Sequence, residues 1–237
     1  MLVYNETKKV FLQHVSDNHI EDIIYQCVKD KLNRETGKSE VNSWKASLTQ
    51  MFFVLNDQDI PDDSWISIEF RIPQTSKRID FIITGEDDQN RESAIIIELK
   101  QREKAKITDK DWLMVTRFQN GEKEVSHPSY QARSYARLLQ NFNETVYEEN
   151  IQLEPCAYLH NYEEDWIISN DFYLDYITKA PVFLRDDKEK LREFIKKFVK
   201  YGDKKNTMFR IDHGKIKPSK HLADSMASML KGNQEFV

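Results

Sequence analysis

At 237 residues, with 39 % hydrophobic and 11 % aromatic side chains, the chain has apolar matter for one folded domain and too much for a disordered one. Its apolar runs fall far short of the ~20 residues that cross a bilayer, and its first nine residues lack the apolar stretch of a secretory signal. Two distant cysteines, Cys27 and Cys156, exclude a disulfide scaffold and a thiolate metal cluster, so a cytoplasmic protein without membrane partners is expected, and the net charge of −5 gives no global sign of a nucleic-acid partner.

Residues 5–7 read as a turn leading into a short helix around residues 10–15. Ile20, Ile23, Ile24, Cys27, Val28 and Leu32 recur at helical spacing, and Gly37 lies in the break that follows. Ser39 is the expected N-cap of another helix, with Val41, Trp44, Leu48, Phe52 and Leu55 on its core face. Each of these two longer helices carries one acid near its apolar stripe, Glu21 and Glu40. Beyond an acidic turn over residues 56–63, Ile66, Ile68, Phe70 and Ile72 alternate with Ser67, Glu69 and Arg71, the pattern of a half-buried strand. Two β-branched runs follow, residues 79–83 and 94–99, joined by a polar connection over residues 84–93, and these predict adjacent strands.

After Lys100 the chain turns polar, and Arg102, Lys104, Lys106 and Lys110 precede Trp112 and Phe118 in a stretch expected to be a loop up to Gly121. Basic residues interleaved with aromatics suit a single nucleic-acid strand, which binds through backbone charge and base stacking. Pro128 opens a helix on which Gln131 and Tyr135, four apart, share a face. Arg133 of that helix joins Arg102, Lys104 and Lys106 as an expected nucleic-acid contact. Residues 155–160 and 180–184 read as two further strands with a helical segment, 165–176, between them. An amphipathic helix over 187–201, a hairpin over 207–217 and a helix over 221–230 complete the chain, and residues 231–237 read as a linker or a strand start. Between residues 196 and 220 nine basic residues accompany two acids; such local basicity contacts phosphates whatever the overall sum.

The chemistry concentrates where the two β-branched runs meet. Residues two apart on a strand share a face, so Glu98 and Lys100 project together while Leu99 turns into the core. Pairing the strands can bring Asp80 beside Glu98. Two such carboxylates repel each other, and a hard divalent cation that keeps several waters relieves the repulsion. A cation so held polarises a phosphodiester and orients a water.

Asp80, then Glu98-Leu99-Lys100, then Gln131 with Tyr135 resemble in order and spacing the PD-(D/E)XK nuclease superfamily, in its RecB-like branch, with Ile79 standing where the name has proline. The resemblance implies an α/β fold with a restriction-endonuclease-like core, αβββαβ, whose mixed central sheet is flanked by helices. It implies one domain over residues 1–237, with the core at about 20–185 and a basic helix, hairpin and helix appended over 186–237. Catalysis would fall to Asp80, Glu98, Lys100, Gln131 and Tyr135. Mg²⁺ or Mn²⁺ would be held by Asp80, Glu98, the Leu99 carbonyl and a helix-borne acid, Glu40, with Glu21 its rival. Residues 73–80, 127–131 and 156–162 further resemble the N-terminal nuclease part of bacterial nuclease–helicase fusions associated with phage defence. That implies cleavage of nucleic acid, DNA before RNA, and a helicase/ATPase partner beyond this chain, before which it is cut. The four-cysteine iron–sulfur staple of many relatives is absent from this sequence. The alternative from another class is a non-catalytic module that binds nucleic acid and loads strands onto a helicase; metal-dependent cleavage separates the two.

Overall fold

The computed structural model describes residues 1–118 and 121–230. Its first half runs β1 (Tyr4–Thr7), α1 (Lys8–Ser16), α2 (Ile20–Leu32), α3 (Lys38–Leu55), β2 (Trp65–Arg71), β3 (Arg78–Glu86) and β4 (Glu92–Lys100). After these come β5 (Ala105–Ile107), β6 (Leu113–Phe118), β7 (Gly121–Ser126), α4 (Pro128–Phe142), α5 (Glu144–Glu148) and β8 (Gln152–Leu159). The chain ends with α6 (Leu174–Ile177), β9 (Val182–Phe183), α7 (Lys188–Phe198), α8 (Thr207–His213) and α9 (Lys220–Leu230). Six strands form one mixed sheet in the order β1-β2-β3-β4-β8-β9, antiparallel as far as β4 and parallel beyond it. Helices cover both faces, so the chain is α/β with a mixed central sheet, as expected.

Burial on two sides explains why β3 and β4 read as unbroken apolar runs rather than as alternations. Phe81, Ile83, Ile95 and Ile97 join a core with Phe11, Ile24, Leu48 and Met51 of the N-terminal helices and Leu191 and Ile195 of α7. Ile79, Ile82, Ala94 and Ile96 join the opposite core with Tyr135 and Leu139 of α4 and Met208 and Ile211 of α8. Local signals fix the helix ends. Asn33, in the left-handed region at φ 48°, closes α2. The ring of His127 accepts a hydrogen bond from the Ser129 amide and Pro128 follows as the first residue of α4.

Several local expectations are corrected. Residues 4–7 are an edge strand, not a turn; Asn5 Oδ1 there accepts from the Ser67 hydroxyl at 2.6 Å. The N-cap of α3 is Gly37, two residues before Ser39. The connection of β3 to β4 shrinks to residues 87–91, because both strands run on through polar positions. The expected loop after Lys100 contains a second, antiparallel sheet, β5-β6-β7. Its outer positions are polar, with Lys106 of β5 paired to Glu122 of β7 at 2.5 Å and Lys110 of the β5–β6 connection to Glu124 at 2.8 Å, so it shows no apolar periodicity. Met114 and Ala105 anchor it to a third core containing Tyr162, Ile168 and Tyr173.

Residues 207–213 form helix α8 where a hairpin was expected: Met208 and Ile211 are three apart and both buried, and Asp203 accepts from the Thr207 amide at its start. Of the 165–176 segment only residues 171–176 are helical, and the helix ends one residue later. Buried side chains also lie outside residues 20–185: Tyr4 and Phe11 before them, and Leu191, Ile195, Met208 and Ile211 after them. The expectation for residues 231–237 lies outside the described residues.

Gly85 marks a close approach. There the backbone of residues 199–201 crosses β3, with the Glu86 amide donating to the Tyr201 carbonyl at 2.9 Å. A Cβ on Gly85 would lie 2.5 Å from that carbonyl oxygen and 2.8 Å from Val199 Cγ1. Gly85→Ala is therefore expected to destabilise the protein by about 1–3 kcal/mol, the scale of an overpacked interior, read as a lowered urea midpoint. An unchanged midpoint would mean that residues 199–201 yield without cost.

Candidate active site

The β3–β4 ladder keeps register from Glu86 opposite Glu92 to Phe81 opposite Ile97 and then stops. Continued by one residue, that register sets Asp80 against Glu98. There a side chain replaces the ladder, and the Leu99 amide donates to Asp80 Oδ2 at 3.1 Å. Glu98 is 1 % exposed, Lys100 Nζ donates to its Oε1, and its Oε2 has no hydrogen-bond partner among the described residues. Burial and then the adjacent Asp80 carboxylate push the Glu98 carboxyl above its ordinary range, against the pull of Lys100.

The face that carries Ile96 and Glu98 packs against α4. Gln131 Nε2 donates to the Tyr135 hydroxyl at 2.9 Å. Burial, then the charge of Glu98, raises that hydroxyl to about 12, so at neutral pH it keeps its proton as a donor. Asp80, Glu98, Lys100, Gln131 and Tyr135 thus share one neighbourhood.

A cleft of about 820 Å³ opens beside them. Asp80, Leu99 and Lys100 form its floor, α3 one wall, and residues 102–104 with 116–118 the other. On the α3 wall the sequence reading missed a residue. Glu69, assigned to the solvent face by alternation, is 4 % exposed and lies opposite Asp80 between the pairs Ile68–Phe81 and Phe70–Ile79. Its φ of 59° is rare for a non-glycine residue within a strand and breaks the alternation there. The Trp44 indole donates to Glu69 Oε1 at 2.8 Å and Arg78 pairs with Oε2 at 2.7 Å. Burial dominates and lifts this carboxyl to about 7, with Arg78 opposing and Asp80 assisting. Alternation gave no signal for it, because the burial of Glu69 depends on the left-handed backbone at that position.

Glu40 also lines the cleft, but its carboxylate receives Arg34 at 3.0 Å and Arg78 at 2.7 Å. Burial opposes its ionisation; the two arginines outweigh that and hold it below the usual carboxylate range. Arg78 also reaches Asp80, at 3.9 Å. Glu40 therefore meets Asp80 through an arginine, and a direct place beside the metal would require that arginine to move. Glu21 is away from the cleft lining, paired with Lys45 at 2.6 Å. Of the expected nucleic-acid contacts, Arg102 and Lys104 line the cleft, whereas Lys106 is spent on Glu122 and Arg133 lies over the Tyr176 ring at 5.9 Å. The basic tract over residues 196–220 is partly neutralised within the fold: Lys196 pairs with Asp57 and Asp59, Lys205 with Glu86 and Glu92, Arg210 with Glu92 and Glu149, and Lys217 with Glu144.

Among the described residues no group of three or more His, Cys, Asp or Glu side chains is arranged to hold a metal ion. The acidic donors here are the Asp80 carboxylate on the floor and the Glu98 carboxylate buried beside it, all oxygen, with Glu98 Oε2 lacking a hydrogen bond among the described residues. That set fits a hard cation which fills its remaining positions with water, Mg²⁺ or Mn²⁺, and not a softer metal. No protein-family model, characterised protein or solved structure matches the chain.

Proposed function

We propose that the chain is a metal-dependent nuclease domain with a restriction-endonuclease-like core, of the RecB-like PD-(D/E)XK kind, that hydrolyses phosphodiester bonds of DNA. The observation that carries this reading is the replacement of the β3–β4 ladder by the Asp80 carboxylate, directly beside the buried Glu98 carboxylate and the Lys100 ammonium. A structural ion pair has little use for a second carboxylate turned toward the first, since the repulsion destabilises the fold. Element order supports it: α3, β2, β3, β4, α4 and β8 follow one another as αβββαβ, with the small sheet inserted after β4. On the resemblance of its sequence, the domain works alongside a helicase/ATPase in antiphage defence.

In this reading Asp80, Glu98 and the Leu99 carbonyl would hold Mg²⁺ or Mn²⁺, which would supply Lewis-acid polarisation of the phosphodiester. Lys100 lies on the cleft floor with one N–H committed to Glu98, and its other two orient the attacking water and offset negative charge on the phosphate. Tyr135, with its proton retained and its oxygen accepting from Gln131, holds an oxygen next to the scissile bond. Burial of the floor keeps bulk water from competing for these donors.

The test compares wild type with Asp80→Ala on end-labelled linear and on circular DNA in Mg²⁺, Mn²⁺ or EDTA. Wild type is expected to cut with either metal and not in EDTA, and Asp80→Ala to lose both cleavage and the rise in melting temperature on adding Mn²⁺. If wild type leaves DNA and RNA intact in Mn²⁺, the enzymatic reading is wrong and the binding-module reading replaces it.

A further inference from the structure

We propose that the cleft takes a single-stranded polynucleotide, held on the outer sheet by a base stacked on Phe118 and a phosphate bound by Arg102. This rests on the nuclease reading for which bond is cut, but not for what is gripped. Phe118 ends β6 with 43 % of its surface exposed, and its ring lies in the cleft wall. Cations flank it, with Arg102 Cζ 5.9 Å and Lys123 Nζ 5.7 Å from the ring centre. An exposed aromatic ring between two cations offers a base a face to stack on and offers its phosphates charge on either side.

Arg102 adds an independent sign of an anion. Its Nη1 is buried and has no hydrogen-bond partner among the described residues, while the guanidinium lies within Coulombic reach of Glu98. An unmet charged donor next to the carboxylate pair is costly unless something accepts from it, and a phosphate oxygen is the acceptor that a guanidinium suits best. The wall it belongs to also carries Lys104 and Arg117. Across the cleft, Arg78 of β3 is already engaged by Glu40 and Glu69. Backbone charge therefore lies along the outer sheet.

A base can offer its face to Phe118 only when it is unstacked from its neighbours, which a duplex prevents. The cleft's roughly 820 Å³ is the size of a small-ligand pocket and suits a few nucleotides, not a double helix. Trp112 does not supply the platform, because its ring is already stacked on Tyr130 at 4.9 Å.

The test is fluorescence anisotropy of the purified protein in EDTA, where no bond is cut, with a labelled oligonucleotide as single-stranded DNA, as single-stranded RNA of the same sequence, and as duplex. Phe118→Ala is expected to weaken single-strand binding about 5- to 150-fold, with Phe118→Tyr restoring most of it and duplex binding, weak throughout, unchanged. Arg102→Gln is expected to lower the slope of log K against log salt by about one. Phe118-dependent single-strand binding by a protein that cuts nothing would sink the nuclease reading and leave this one standing. Equal losses on single strand and duplex, or none on either, would overturn it, and so would a Phe118→Tyr protein as weak as Phe118→Ala.

Discussion

Lys100→Met is expected to lower metal-dependent cleavage by about 10²- to 10³-fold, the cost of removing one preorganised donor aimed at developing charge. The substitution keeps the length and the aliphatic stem and removes only the ammonium. It leaves Glu98, 1 % exposed, without its cation, and a buried carboxylate in that position either takes up a proton or destabilises the fold. Folding and chemistry must therefore be read apart. Asp80 and Glu98 remain in the variant, so added Mn²⁺ should still raise its melting temperature, by more than in wild type because the metal then supplies the missing positive charge. Near-normal cleavage by Lys100→Met would remove Lys100 from the mechanism. Loss of the metal-dependent stabilisation would show instead that Lys100 builds the site and does not act in it.

The second large effect concerns acid stability and centres on His127. Its ring is fully buried, with Nε2 donating to the Ile168 carbonyl at 3.0 Å and Nδ1 accepting from the Ser129 amide at 3.2 Å, so both nitrogens of the neutral ring are satisfied. A proton on Nδ1 would set two N–H groups against each other. Burial above all, with Arg102 adding to it and Ile168 opposing, lowers its pKa from 6.5 to about 4. A histidine depressed in the folded state binds its proton more readily unfolded. Its share of stability is therefore intact above pH 6.5 and lost as pH falls toward 4, by about 3 kcal/mol in all. Glu69 works the other way in nearly the same window: its pKa is raised to about 7, so the folded state gains relative stability as pH falls from 7 toward the ordinary carboxylate range. The wild-type curve is a balance of the two, and the informative quantity is a difference. His127→Gln, whose amide can donate to Ile168, is expected to lose less stability than wild type between pH 6.5 and 4, by up to about 3 kcal/mol in urea unfolding. Parallel curves would mean that His127 is protonated in the folded protein without penalty.

The floor of the site was legible in the sequence because strand geometry is rigid. Period-two alternation alone puts Glu98 and Lys100 on one face, and two adjacent β-branched runs leave few ways to place Asp80. Glu69 was illegible for the same reason: alternation presumes extended backbone, and the left-handed residue at 69 turns an apparently outward acid into a buried one. The outer sheet stayed hidden because its strands are held by charge pairs and a few anchors such as Met114 rather than by an apolar stripe. In α8 the pair Met208 and Ile211 is too short a repeat to declare a helix before the Asp203 cap and the underlying core are known. The charge of the basic tract was misread in weight, since a count of lysines is blind to Glu86, Glu92, Glu144 and Glu149 reaching them from elsewhere in the chain.

The two sheets differ in how they are braced. Through residues 98–100, β4 is zipped to β8, and the residues just past β8 lock it again, His160 bonding Ser47 at 3.0 Å and Asn161 the Gln101 carbonyl at 3.3 Å. Amides of that strand are expected to exchange with solvent only through global unfolding. The β5-β6-β7 ribbon rests on the rest of the fold through a few buried side chains, Ala105 and Met114 among them, so its amides are expected to exchange through a smaller opening, read by native-state hydrogen exchange. One side of the groove is thus an anvil tied into the central sheet, and the other a lighter wall laid against it.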